Sequence, residues 1–325
     1  LSSLIFTGVI KSKVEHFVTY FNNLFLPQGL ALYMSMERHL SDYKLHILCL
    51  DDEVSSVLNK LNLPNVQLLK LSELETEELR RVKQTRTIRE YFWTLTPFAP
   101  RFVFDANKEV QRVTYLDADL WFRKNPKPIF DELDASSKSV LITDHAYAPE
   151  YDKSSLSGQY CVQFLTFNRY GGESVRKWWE ERCIEWCYAR AEDGKFGDQK
   201  YLDVWPEIFS EKVHVLQDIQ IALAPWNAVR FPYANSIFFH FHELRILSKN
   251  KLNIGGYLIP EVVLKYIYKP YAEDLRKAVS LLATVGFIFS SQSIPTSTPK
   301  LIYRQLNRII GTIIKTFTSS DVLKW

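Results

Sequence analysis

The chain has 325 residues, 46% of them hydrophobic and 24% charged, with a net charge of +3 at pH 7. That length supports one large domain or two ordinary ones. The composition is that of a soluble globular protein, and so small a charge excess gives no reason to expect a nucleic-acid partner. The longest apolar stretch, residues 278–289, is too short to span a bilayer.

Strand patterns open the chain at residues 4–10 and 16–21. Asn22, Asn23 and Pro27 mark a loop before a helix over 28–40. A strand at 44–50 stops at Asp51 and Asp52, a short helix follows at 53–61, and a strand at 66–71 comes next. This alternation reads as βαβ units on a mainly parallel sheet, an α/β fold. Residues 73–93 read as one helix, acidic early and basic late as the helix dipole favours. The apolar run 113–116 predicts a further strand ending in Asp117 and Asp119. Residues 173–193 predict another helix, with Val175, Trp179, Cys183, Trp186 and Cys187 as a core stripe. All four cysteines, Cys49, Cys161, Cys183 and Cys187, read as reduced and buried. No charged, apolar and cleavable leader pattern is visible, so a cytoplasmic location is expected. In the tail, Ile302, Leu306, Ile309, Ile310, Ile313 and Phe317 share one helical face, with Arg304, Arg308 and Lys315 opposite. Such a basic amphipathic segment suits peripheral contact with a membrane through residues 300–317, on the inner face of the plasma membrane, or packing on a partner.

The chemistry concentrates at Tyr115-Leu-Asp-Ala-Asp119. Side chains at i and i+2 of a strand point the same way, so both carboxylates are expected to face one point. Two close carboxylates repel unless a proton or a cation intervenes, and hard oxygen ligands suit Mg²⁺ or Mn²⁺. Three strands ending in polar groups, at Thr19-Tyr20, Asp51-Asp52 and Asp117/Asp119, predict a site at the carboxyl edge of the sheet. His240 and His242 alternate with Phe239 and Phe241 and share a strand face. Imidazole beside two carboxylates favours Mn²⁺ over Mg²⁺. Asp198 and Gln199 begin a predicted helix, where Asp198 reads locally as an N-cap. Ala224-Pro-Trp-Asn227 is a rigid turn whose indole and amide suit a sugar's C–H face and hydroxyls, although a structural turn explains it equally.

Together these pieces resemble the GT-A nucleotide-sugar glycosyltransferases. They are most similar to the glycogenin and bacterial galactosyltransferase-like family, and within it to a group of bacterial surface-polysaccharide transferases. The resemblance is carried by Thr19-Tyr-Phe-Asn22, Tyr115 to Asp119, Lys195 to Asp203, Ala224 to Asn227 and Phe239-His-Phe-His242, with Tyr160 to Phe164 and Glu181 to Cys187 in support. It covers residues 15–247 and implies a Rossmann-like GT-A domain over 1–247, followed by a helical extension over 248–325.

The resemblance also implies roles. Asp117 and Asp119 would hold the metal that bridges the donor diphosphate. His240 would be a third ligand and His242 a weaker one. Thr19 and Tyr20 would contact the base, and Trp226 and Asn227 would join the donor site. Asp198 and Gln199 match the acid-amide pair facing the donor sugar in retaining members. The partners would be a nucleotide-diphosphate sugar and a glycan or lipid-linked glycan acceptor. The chain departs from the pattern at Glu243, where the family has glycine, and lacks the Lys-Pro-Trp segment that follows, so the phosphate clamp is left unassigned. Residues 218–222 are bulkier than the Gly-rich stretch expected there. Three other readings compete with a hexosyltransferase. A haloacid-dehalogenase-type phosphatase would carry its D-x-D near the chain start. A sugar nucleotidylyltransferase would show an early Gly-rich loop. A catalytically silent scaffold would not require the carboxylate pair and the histidines.

Overall fold

The computed structural model describes residues 14–248, 251–292 and 322–324. The strand expected at 4–10 and the amphipathic segment 300–317 lie outside the described residues. In chain order the strands are β1 (Glu15–Phe21), β2 (Tyr43–Cys49), β3 (Val66–Lys70), β4 (Arg112–Leu116), β5 (Leu120–Phe122), β6 (Val140–Asp144), β7 (Tyr160–Asn168), β8 (Val213–Val215), β9 (Ala222–Leu223), β10 (Phe238–His240), β11 (Arg245–Ser248), β12 (Lys251–Asn253) and β13 (Val322–Lys324). The main sheet has the order β3-β2-β1-β4-β7-β6-β8. It is parallel except where β7 runs antiparallel between β4 and β6. Smaller sheets are formed by β5-β10-β9 and β11-β12-β13. This is the α/β architecture with a mainly parallel sheet that the sequence pattern predicts.

The first half is built as expected. Pro27 enters the first turn of the helix Leu26–His39, where its missing N–H costs nothing. Asp51 accepts from Val54 N–H at 2.8 Å and caps the helix Asp52–Leu61. Asp51 and Asp52 therefore start a helix and do not join the site. The single helix expected over 73–93 is broken into Leu71–Leu74, Glu77–Lys83 and Ile88–Leu95. The breaks fall at threonines. Thr76 caps the second piece, and Thr87 forms a capping box with Glu90, because a threonine hydroxyl serves a helix start better than its interior. The helix expected over 173–193 ends at Glu185. Beyond it, Asp193 (φ 50°) and Gly194 (φ 73°) form a tight turn, closed by the pairing of Glu192 with Lys195. The core stripe stays buried nonetheless, with Trp186 and Cys187 reached by irregular chain. All four cysteines are free and buried.

Apolar layers pack on both faces of the main sheet. Phe17, Leu30 and Phe164 belong to one, and Val18, Tyr91 and Trp179 to the other. The helix Lys269–Thr284 packs against the helix Leu26–His39. The buried carboxylate of Asp274 fastens this contact, accepting from Trp121 Nε1 at 2.8 Å and from Arg38 Nη2 at 2.5 Å. Among the described residues, no helix is long and apolar enough to cross a membrane. The Arg38 guanidinium is 40% exposed and can turn to water, so removing Asp274 chiefly strands the buried Trp121 indole N–H. Asp274→Ala should therefore lower the unfolding free energy by about 2 kcal/mol, read from the midpoint of urea denaturation.

Candidate active site

β4 ends at Leu116, so Asp117 and Asp119 lie in the turn to β5 and not in a strand. The alternation argument does not apply to them, and the turn makes them converge instead. Leu120 N–H donates to Asp117 O at 3.1 Å and closes the turn, while Asp117 N–H donates to Gln163 O on β7 at 3.1 Å. β10 pairs antiparallel with β5, with His240 opposite Leu120, and Phe241 N–H donates to Asp119 O at 2.9 Å. This register sets His240 Nε2 3.1 Å from Asp119 Oδ1 and 3.6 Å from Asp117 Oδ2. One ligand atom from each of the three residues lies within 4.8 Å of the others. The His240 Nδ1 edge faces Gln163 Oε1 at 2.9 Å, and Tyr115 OH donates to Asp117 Oδ1 at 2.8 Å.

The electrostatics follow from crowding two half-buried carboxylates against a buried imidazole. Desolvation alone would raise the Asp119 carboxyl, but the charge and hydrogen bond of His240 bring it down to about 2. Burial and the Asp119 charge raise Asp117, against the pull of His240. His240 rises well above 6.5, because Asp119 outweighs its burial. His242 falls to about 4 through burial and the neighbouring His240.

These residues line a cleft of about 320 Å³, together with Tyr20, Asp198, Gln199 and Trp226. The Trp226 ring stands edge-on to His240 at 5.4 Å, and its Nε1 donates to His145 O at 2.8 Å. Tyr20 OH donates to Phe92 O at 2.7 Å and lies 2.9 Å from Thr96 Oγ1, so its hydroxyl is engaged. Gln199 donates to Ser157 O at 2.8 Å and accepts from Val162 N–H. Asp198 makes no capping hydrogen bond. Its backbone carbonyl accepts from Trp179 Nε1 at 2.8 Å, and its side chain is buried with Oδ2 unpartnered among the described residues. Burial is the main cause that lifts the Asp198 carboxyl to about 7, against a hydrogen bond with Thr96.

Two expected residues are not brought to the cleft. The Thr19 side chain is buried in the sheet. The Asn227 amide is used within its turn, donating to His145 O and Ala222 O and accepting from Ala224 N–H. The departure at Glu243 is milder than the sequence suggests. Its backbone takes a left-handed φ of 65°, the conformation that glycine adopts without strain.

Sequence reasoning missed several lining residues. Tyr115 sat in the quoted motif without a role. Cys161 lies beside His145 and His240, and despite its burial His145 helps bring its thiol down to about 7. Lys153 and Tyr257 come from loops with no pattern to flag them, and the lysine Nζ sits 5.8 Å from the tyrosine ring centroid.

No protein-family model matches the chain. Two Bacillus subtilis (strain 168) proteins, both named as uncharacterized, do match it. YfnF is 31% identical over 280 residues, covering 80% of this chain and 91% of YfnF. The chain belongs to the YfnF family. YfnD is 27% identical over 300 residues, covering 86% of this chain and 94% of YfnD. Among solved structures, galactosyltransferase LgtC in complex with donor and acceptor sugar analogs superposes with a TM-score of 0.51 at 12% identity, covering 84% of this chain and 97% of LgtC. The apo form of the glycosyltransferase GlyE from Streptococcus pneumoniae TIGR4 gives 0.50 at 16% identity, covering 86% of this chain and 66% of GlyE. The fold of this YfnF-family chain is therefore the GT-A glycosyltransferase fold, as the motifs imply.

An acid that titrates near 7 in the fold and at 3.8 ordinarily keeps a proton that the unfolded chain has lost. The Asp198 contribution to stability is thus present below pH 4 and is lost as pH rises toward 7. In EDTA, the melting temperature of Asp198→Asn should rise relative to wild type across pH 4 to 7, as thermal melts at stepped pH would show.

Proposed function

We propose that this protein is a metal-dependent glycosyltransferase. It moves a hexose from a nucleotide-diphosphate sugar to a glycan or lipid-linked acceptor, in the assembly of a bacterial surface polysaccharide. The observation that carries this reading is the meeting of Asp117, Asp119 and His240 in one cleft of a GT-A fold. The donor set fits a divalent cation. Two carboxylates and an imidazole already crowd one point, and the proton-mediated compromise between them is what a cation would replace. Asp117, Asp119 and His240 would hold Mn²⁺ or Mg²⁺, with His242 behind them. When bound, such a cation supplies Lewis-acid neutralisation of the leaving diphosphate.

The remaining roles fall to the chain's own side chains. Two aspartates balance a divalent cation, so a diphosphate needs further positive charge. Lys153 is the one lysine or arginine among the described lining residues, and we assign it the clamp that the missing Lys-Pro-Trp segment would have provided. Tyr20 and Trp226 line the cleft and would meet the base and the sugar. Asp198, whose carboxyl burial lifts to about 7, can exchange hydrogen bonds with a donor-sugar hydroxyl. Its match to the retaining pattern supports transfer with retention. The basic segment 300–317 would bring the enzyme to a lipid-linked acceptor at the inner face of the plasma membrane.

A thermal-shift screen of nucleoside diphosphates and their sugars with Mn²⁺, Mg²⁺ or EDTA tests this reading. An EDTA-sensitive shift by one nucleoside diphosphate is expected, and its absence for every pair would favour a silent scaffold. Asp117→Asn should lower transfer by at least about 100-fold, as loss of a main electrostatic partner does. Lys153→Ala should raise the donor KM by about tenfold, the effect of one charge-assisted contact, in steady-state kinetics at saturating metal.

A further inference from the structure

We propose that Gln163 is the positioning residue of the metal site, holding two of its three ligands through opposite ends of one amino acid. The inference rests on the metal-dependent reading above. Gln163 lies inside β7 and is 1% exposed. Its backbone carbonyl accepts the N–H of Asp117 at 3.1 Å, which fixes where the acidic turn leaves the sheet. Its side-chain Oε1 lies 2.9 Å from His240 Nδ1. An amide oxygen can only accept, so Nδ1 carries the hydrogen. The imidazole is then locked with Nε2 toward Asp117 and Asp119, and Nε2 is the nitrogen free to bind a cation once its proton leaves.

The burial of this glutamine has a cost that the role accounts for. Its Nε2 is buried without a hydrogen-bond partner among the described residues. A leucine or methionine would fill the same space with no amide donor to strand, but would leave the Nδ1 hydrogen of His240 without its acceptor. Packing alone therefore does not favour an amide at this position, whereas the bond from His240 to its oxygen does. The backbone hold on Asp117 is independent of side-chain identity, so a substitution here separates the histidine arm from the carboxylate arm.

The test is Mn²⁺ titration of the full chain, by calorimetry and by the EPR signal of free Mn²⁺. Gln163→Met keeps the volume and removes the acceptor, Gln163→Leu gives a second acceptor-free side chain should the first fail to fold, and Gln163→Glu keeps an acceptor. Loss of such an outer partner typically weakens metal binding by about 10- to 100-fold. That loss is expected for Gln163→Met, with its melting temperature in EDTA close to wild type and kcat recovering at saturating Mn²⁺. Gln163→Glu should bind within about threefold of wild type, as the carboxylate–histidine arrangement does. Wild-type binding with an unchanged Kd in Gln163→Met and Gln163→Leu, or equal losses in Gln163→Met and Gln163→Glu, would overturn the role of Gln163 and leave the metal reading standing. No Mn²⁺ binding by wild type would overturn both.

Discussion

Bringing two carboxylates and an imidazole to one partly dry point is the constraint around which this chain is organised. Like charges that close do not tolerate burial unless something of opposite sign lies between them. In the protein alone His240 serves that purpose, and its raised pKa records the demand that Asp117 and Asp119 make on it. The supporting bonds follow the same logic. Tyr115 holds one oxygen of Asp117, Gln163 holds the far side of His240, and the pairing of β10 with β5 sets the spacing. The charges are costly to keep together, and the proposed cation would relieve that cost.

Much of this was legible in the sequence for a physical reason. The βα rhythm of the first half follows from runs of apolar residues broken by caps and turns, and those signals are local. The acidic pair, the two histidines and Asp198 were found because their side-chain chemistry is unusual at the edge of a buried strand. The geometry behind the acidic pair was misread, since the turn after Leu116 makes the two side chains converge where strand alternation was expected to. Thr76 and Thr87 also carried a legible signal as helix starts, as did Asp193-Gly194 as a turn, but the charge gradient along 73–93 and the apolar stripe along 173–193 masked them.

What stayed hidden depends on contacts between residues far apart in the chain. Cys161 and Gln163 read as ordinary residues of a buried strand until β7 is placed antiparallel beside β4, and only then do their side chains meet a histidine nearly eighty positions later. Lys153 reaches the cleft from a loop of no particular pattern. Asn227 erred the other way, because an amide that suits a sugar hydroxyl suits a tight turn equally, and the turn claimed it.

The Trp121 indole lies two residues beyond Asp119 and hydrogen-bonds Asp274 on the helix Lys269–Thr284, which also receives Arg38 from the first long helix. The acidic turn and the C-terminal region therefore share a structural member. Chimeras that exchange the C-terminal segment of this chain have to treat Arg38, Trp121 and Asp274 as a matched set. A graft that respects only the apparent boundary near residue 247 would be felt first at β5, the strand that aligns His240 with the carboxylates.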